Sequence, residues 1–506
     1  MMKLPGRFAR PVAPPSLADL RQLRDHRRNN SFKAVLLMLG LAGMAVISAL
    51  LVVATSYFSV VFVLVLMLCA ALMYDFRVAV VALMVFIPLA STKFLPSFSG
   101  LNAQNLLLFG GLASYVLYRM SRKVDYRLID KTLLWCYLVP FLLAGLVGAQ
   151  HSHTLARLSL SAQDAITSRG GFILYYVIKP GLLIVFAWLI AAAVRRSAKP
   201  DGFISAFTVG ALVPALFIAI YVPMSGVSLS QLVNFRSFLS VLGMHANQFA
   251  VVLNFGIATL LFAGLASPSS KRKVVMLGVA AFLAGTQVLT FSRGGYLGLA
   301  LIAVAYMVVF RDPWKLLAAL LVLSVAAFFV PDAVVDRVTL GITHGSHQDL
   351  SSGRVDELWL PLLPKVLESP VLGHGLMYVG RSDLVISGRM MKAAQAHNAY
   401  LDLLLDVGVI GTLLVLYFLG TVYRDFRYMA KNDPDPLMRG FFQGASVGML
   451  AWLLQAFTDD RLFPNQPQML FWMAYGLMLG RHPKMLRVAV DSLSRGRRPV
   501  PATPSP

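Results

Sequence analysis

Cysteine is almost missing from this chain. There are two in 506 residues, Cys69 and Cys136, and both fall inside apolar runs. That excludes a disulfide framework and a CxxC redox or metal motif. Charge is also scarce. Charged residues make up 13%, against about 25% in a typical soluble domain. Acidic residues are the scarcest, 23 against 45 Lys and Arg, for a net charge of +22. No soluble-looking block separates the apolar runs between residues 34 and 480. The several soluble domains that length alone suggests are thereby excluded. There is no Walker loop, no HExxH and no nucleophile elbow, so the sequence gives no reason to expect nucleotide chemistry, a metal or another cofactor. A cleavable leader is not expected either. The basic, proline-containing arm Met1–Lys33 leads into an apolar run long enough to span, with no small-residue cleavage site behind it.

Apolar length is what the chain does have. Hydrophobic residues reach 58%, and the mean hydropathy is +0.70. A membrane-spanning helix needs about 20 apolar residues. Candidate spans occur at 34–54, 57–74, 78–92, 102–118, 131–149, 171–194, 203–222, 241–266, 274–291, 295–310, 316–331, 399–421, 440–458 and 467–480. Several are short, so 12–14 spans are expected. With the N-terminus placed in the cytoplasm, the inside segments carry 32 of the 45 Lys and Arg, the outside segments 12, and one span holds Lys179. This is the positive-inside pattern. It attributes the basic excess to membrane orientation and gives no reason to expect nucleic acid. The resulting organisation is a cytoplasmic arm 1–33, spans over 34–330, a large outer loop 331–398, spans over 399–480 and a basic cytoplasmic tail 481–506.

The outer loop stands apart because long loops inside compact proteins are usually functional. Ser351-Ser352-Gly353 is placed to cap a helix beginning Arg354-Val355-Asp356-Glu357, with its acidic residues in the first turn. Leu358, Leu362, Leu363, Val366 and Leu367 predict an apolar face. Pro361 and Pro364 argue against a straight helix, and Pro370 with Gly373-His374-Gly375 should end it. The expectation is a bent amphipathic helix lying over the outer mouth of the bundle.

Charged and titratable residues near or inside the membrane carry the chemical information, because each must be paired or functional. Arg293 sits in Thr290-Phe291-Ser292-Arg293-Gly294-Gly295-Tyr296, at the N-terminus of the span that follows it. A guanidinium at a helix N-terminus suits a phosphate; the bland reading is an arginine reaching lipid headgroups. Arg236 precedes the span that opens with His245-Ala246-Asn247-Gln248. These are polar groups that would be costly unsatisfied in hydrocarbon. His397 lies in Ala396-His397-Asn398-Ala399-Tyr400, where the loop meets the next span, and an imidazole there suits a general base. A lone interfacial histidine is more often structural. Asp402 and Asp406 share one helix face, and Lys179 is a cation available to pair with Asp406. The pairs His151/His153 and His344/His347 are weak metal candidates. Asp459-Asp460-Arg461 reads as a local ion pair.

Taken together, the stretches "FRSFLSVLGMHANQFA", "TFSRGGYLGLAL", "SSGRVDELWLPLLPKVLESPVLGHGL" and "AHNAYLDLLLDVGVIG" resemble the O-antigen ligase and O-antigen polymerase superfamily of bacterial envelope glycosyltransferases. They cover about 235–415 and follow the family's order and spacing. Asp406 departs from the glutamate such proteins often carry, but keeps the charge. The resemblance implies an all-α, GT-C-like, polytopic integral membrane bundle with one large periplasmic loop. It implies a glycan moved from an undecaprenyl-diphosphate carrier to an acceptor hydroxyl on the periplasmic face of the bacterial inner membrane. Arg236 and Arg293 would hold the diphosphate, and His397 would activate the acceptor. Arg354, Asn398 and Asn247 complete the expected substrate contacts, with Lys179, Asp402 and Asp406 in support. The implied partners are the lipid-linked glycan donor, a glycan or lipid acceptor, membrane lipids, and a chain-length regulator and flippase of the same pathway. A transporter or flippase is the competing class. It predicts internal repeats and charge near the bilayer midplane, whereas no repeat is seen and the charges gather at one interface.

Overall fold

The computed structural model describes residues 75–89, 103–122, 130–157, 168–197, 201–224, 226, 239, 243–309, 353–390, 393–458 and 461–482. Among them every element is helical. In chain order they are α1 (Phe76–Phe86), α2 (Ala103–Arg122), α3 (Leu133–Gln150), α4 (Arg169–Arg196), α5 (Asp201–Met224), α6 (Ala246–Ala266), α7 (Ser270–Val288), α8 (Arg293–Val309), α9 (Leu360–Glu368), α10 (Ala399–Asn432), α11 (Pro436–Gln455) and α12 (Met469–Arg481). Helices α3, α4, α5, α6 and α10 are long and apolar enough to cross a membrane, and α1 and α8 are shorter apolar helices. The candidate spans at 34–54, 57–74 and 316–331, like the arm and the tail beyond 482, lie outside the described residues. The other candidates fall on helices. The protein is an all-α polytopic membrane protein.

In lipid there is little hydrophobic force between helices, so close packing of small residues replaces it. Helix α6 sits at the centre, against α7 and α11, with α10 on the far side of α11. Gly440, Gly444 and Gly448 of α11 repeat every fourth residue and face α6. A Cβ on Gly440 would run into the Phe262 carbonyl, and one on Gly444 into the Ala258 carbonyl. Gly476 and Gly480 of α12 do the same against Ala187 and Val194 of α4. The outer rim of the bundle is apolar and exposed, as at Trp135, Leu143, Ile220, Val274 and Leu413, where lipid tails would cover it.

Among the described residues three stretches are π-helical, and each ends just before a proline. Leu133–Leu138 precedes Pro140, Ile173–Ile178 precedes Pro180, and Val355–Trp359 precedes Pro361. Proline removes one backbone donor and crowds the carbonyl four residues earlier. A wider turn accommodates both without breaking the helix. In the loop helix this is how the chain passes Pro361 and then carries Pro364 inside α9. The expected apolar face is only half used. Leu358 and Leu362 are buried, while Leu363 and Leu367 are exposed, so the loop helix rests on one narrow stripe. Ser351 and Ser352 lie outside the described residues.

The loop is tied to the bundle through a break in α10. Gly408 has φ 65° and ψ −171°, a conformation that suits glycine. The break frees backbone groups that the loop then satisfies. His374 N–H donates to the Leu405 carbonyl (2.7 Å), Gly375 N–H to the Asp406 carbonyl (2.9 Å), and Val409 N–H donates in return to the Pro370 carbonyl (2.7 Å). Gly373 lies flat on the Gly408 backbone, with no room for a side chain on either. Arg381, 9% exposed, points its guanidinium at the carbonyls of His374, Gly375 and Leu376 and so holds the turn shut. Burial pulls its pKa down, and the Asp406 carboxylate opposes that shift.

Candidate active site

Arg293 is the first residue of α8 and is half-buried. Its helix start is built rigidly. Ser292 is fully buried, and its hydroxyl accepts from Gly295 N–H (3.1 Å) and donates to Asn247 Oδ1 of α6 (2.8 Å). Beneath it, Asn254 Nδ2 donates to the Gly295 carbonyl (2.8 Å), and Gln455 Nε2 to the Gly294 carbonyl (3.1 Å). Asn247, an expected substrate contact, therefore also fixes the turn that presents Arg293.

A second arginine arrives from the loop. Arg354 opens the loop helix and donates through Nη1 to the carbonyl of Thr458, just past α11. A Cβ on Gly294 would lie 2.6 Å from Thr458 Oγ1. Thr458 thus stands between the Arg293 turn and Arg354.

His397 approaches the same place, held from both sides. The preceding residue, Ala396, donates its N–H to Asp402 Oδ1 (2.9 Å) and accepts from Trp359 Nε1 (2.9 Å). The following residue, Asn398, is the N-cap of α10, its side-chain oxygen accepting from Tyr400 N–H (3.1 Å) and Leu401 N–H (3.3 Å). Ala399 N–H donates to the Ala456 carbonyl (2.8 Å), two residues before Thr458. His397 itself has φ 52°. Among the described residues, the non-glycine positions with positive φ are Phe291, Met377 and His397. They flank Arg293, the Asp406 clamp and the candidate base. Residues held in such sparsely populated conformations cluster at functional sites.

Asp402 and Asp406 point to the other side of α10's first turns. Asp406 Oδ1 accepts from Tyr378 N–H (3.2 Å). The expected Lys179–Asp406 pair does not form. The Lys179 ammonium instead sits 3.9 Å above the Tyr175 ring. Lys179, Asp402 and Asp406 nevertheless share one cavity of about 380 Å³ with Arg461, Tyr175 and Tyr176.

Arg236, Asp459, Asp460, His344 and His347 lie outside the described residues. Arg461, read from sequence as half of a local ion pair, lines the cavity and donates to the Ala394 carbonyl (3.5 Å). His245 is the N-cap of α6, its N–H donating to Gln248 Oε1 (3.0 Å). His151 Nδ1 lies 3.1 Å from the Val147 carbonyl. Among the described residues no group of three His, Cys, Asp or Glu could hold a metal ion. Sequence reasoning missed Arg461, Tyr175 and Tyr176. The tyrosines sit in an apolar run, where the i, i+4 spacing of Tyr175 and Lys179 is the one local sign of their contact.

The fold and this cluster define a multi-pass helical membrane protein with arginines and a histidine gathered at one end of the bundle. Residues 278–416 match the family model described as O-Antigen ligase. The matched segment carries Arg293, Arg354, His397 and Asp406, and its similarity to that family supports glycan transfer at a membrane in general terms. No curated protein matches the chain.

Proposed function

We propose that the protein transfers a glycan from an undecaprenyl-diphosphate carrier to an acceptor hydroxyl on the periplasmic face of the inner membrane, as a polysaccharide polymerase or an O-antigen-type ligase. The observation that carries this reading is that Arg354, the turn bearing Arg293 and the helix start after His397 are all anchored on the short stretch Ala456–Thr458. The leaving group is a lipid diphosphate, which needs cations where negative charge develops. Arg293 and Arg354 supply them, with Arg236 as the third candidate. The nucleophile is a neutral hydroxyl, which needs a base, and His397 takes that proton. The acceptor oxygen bonds to the sugar's anomeric carbon as the bond to the diphosphate oxygen breaks. The diphosphate leaves with the electron pair, so no nucleotide sugar or redox partner enters the balance. Asp402 and Asp406 fix the helix start and the loop on which His397 and Arg354 are mounted.

Replacing His397 with Ala should lower transfer about 10²–10⁴-fold, the value of a general base. Membrane abundance and binding of the lipid-diphosphate donor should stay near normal. Near-normal transfer in that variant would reduce the histidine to a structural role. The orientation is tested separately. Reporter fusions after Ser269 and Lys431 should read cytoplasmic, and one at Ser387 periplasmic. A cytoplasmic signal at Ser387 would put the arginine–histidine cluster in the wrong compartment and end this reading.

A further inference from the structure

We propose that the cavity between α3, α4, α10 and the segment Arg461–Gln466 is the binding site for the acceptor's terminal sugar, with Lys179 and Tyr175 as specificity-determining contacts. This rests on the transfer reading above and adds to it the place and chemistry of the second substrate. The cavity's volume of about 380 Å³ lies within the range of small-ligand clefts, about 300–1,000 Å³.

The lining decides the ligand class. It offers cationic donors in Lys179 and Arg461, carboxylate acceptors in Asp402 and Asp406, and phenol groups on Tyr175 and Tyr176. An isolated anion would be repelled by the carboxylates. A lipid chain would bury four charged groups against hydrocarbon, which is costly. A sugar meets the whole set, because its hydroxyls both donate and accept while its C–H face packs on the apolar wall formed by Phe141, Leu183 and Leu403. Lys179 is the pointed observation. Its ammonium has an aromatic ring beneath it and makes no salt bridge among the described residues. An ammonium in the outer part of a span with donors still to place is set for a hydroxyl or ring oxygen.

Placement gives the sugar its role. Ala399 and Asp402 line the cavity and follow His397 by two and five residues on the same helix start. Asp402 also holds the Ala396 amide. A sugar seated here meets the helix start that follows His397, while Arg354 and the Arg293 turn are anchored at Thr458. That is the geometry an acceptor needs when the diphosphate lies on the arginine side.

The test uses full-length protein in detergent micelles and two probes: oligosaccharide released by mild acid from the host's own surface polysaccharide, and undecaprenyl diphosphate without sugar. Lys179→Met and Tyr175→Leu, both at exposed positions, should each weaken oligosaccharide binding by about tenfold or more and leave undecaprenyl diphosphate binding unchanged. Arg293→Ala should do the reverse. Two independent variants guard against one failing to fold, and elution as a single folded species checks each. Unchanged oligosaccharide binding in both variants would overturn the proposal. So would a loss of undecaprenyl diphosphate binding as large as that of Arg293→Ala, which would give the cavity to the carrier's phosphates. Displacement of the free oligosaccharide by lipid-linked glycan would assign the cavity to the donor's sugar and overturn the acceptor role. If His397→Ala keeps transfer while Lys179→Met loses sugar binding, the proposed chemistry fails and the cavity assignment stands.

Discussion

The two ends of the helical bundle use charge in opposite ways. At the end expected to face the cytoplasm, charges pair with each other. Arg481 closes on Asp433 through two short bonds, Nε to Oδ2 at 2.7 Å and Nη2 to Oδ1 at 2.6 Å. Arg272 meets Asp201 at 2.8 Å. Arg195 donates to the Leu479 carbonyl at 2.9 Å. These contacts seal loops and helix ends against one another. At the opposite end Arg354, Arg381 and Arg461 donate to backbone carbonyls, and Lys179 rests on a ring. A carbonyl orients a guanidinium without cancelling its charge. The aspartate pairs at one end are therefore structural, while at the other end guanidiniums and the Lys179 ammonium stand in a cavity and along a loop.

The largest test of that contrast is a pair of variants with opposite signatures. Arg293→Lys should lower transfer by about 10²–10³, because a lysine does not replace a planar, bidentate guanidinium at a diphosphate and one lost transition-state contact costs about that much. Its abundance and thermal midpoint should match wild type. Arg481→Ala should do the opposite. It leaves the buried Asp433 without its partner, and breaking a buried pair costs about 3–5 kcal/mol. Detergent melts and membrane abundance should fall, while transfer per folded molecule stays normal. If Arg293→Lys instead loses stability with transfer intact, the contrast between the ends collapses.

The smallest effect is expected in the loop, where exposed ion pairs do resemble those at the other end. Lys365 bridges Glu368 (2.7 Å) and Asp383 (2.9 Å), and Arg389 adds a second contact to Asp383 (2.9 Å). The Lys365 hydrogen bond holds the Asp383 carboxyl below its ordinary range, and its bonds to Glu368 and Asp383 push the Lys365 ammonium up. Because the Asp383 value is depressed on folding, its contribution is present above the usual carboxylate pKa of about 3.9 and is lost as pH falls below it. Nothing should change between about pH 5 and 8. Asp383→Asn should cost within about 1 kcal/mol, as exposed pairs do. Hydrogen exchange of residues 360–386 should show a modest rise that vanishes at high salt. A large rise that persists in high salt would make this clip a main support of the loop.

How legible the protein was from sequence differs between these regions. The helices were readable because about 20 apolar residues can mean little else; both ends fell close to the structure's at α5, the C-terminal end at α6 and the N-terminal end at α10. Arg293, Arg354 and His397 were readable because polar residues are conspicuous where hydrocarbon begins. The loop helix was readable from its acidic first turn and its terminating glycines, but not its passage through Pro361, which depends on a π turn that relieves the proline locally. The Gly440-Gly444-Gly448 repeat was in plain view, yet which helix it faced was not.

By itself, then, the sequence determined the all-helical membrane class, the sign of charge on each connection and the residue types available for chemistry. These follow from local composition and the backbone's need to satisfy its own hydrogen bonds in lipid. Tertiary structure alone decided the partners. It kept Lys179 from Asp406, made Arg461 a wall of the cavity, and docked the loop into the break at Gly408. The physical reason is that the cavity wall and the loop docking join segments well separated in the chain. Their geometry comes from helix crossings and π turns, which no local pattern of apolar and polar residues encodes.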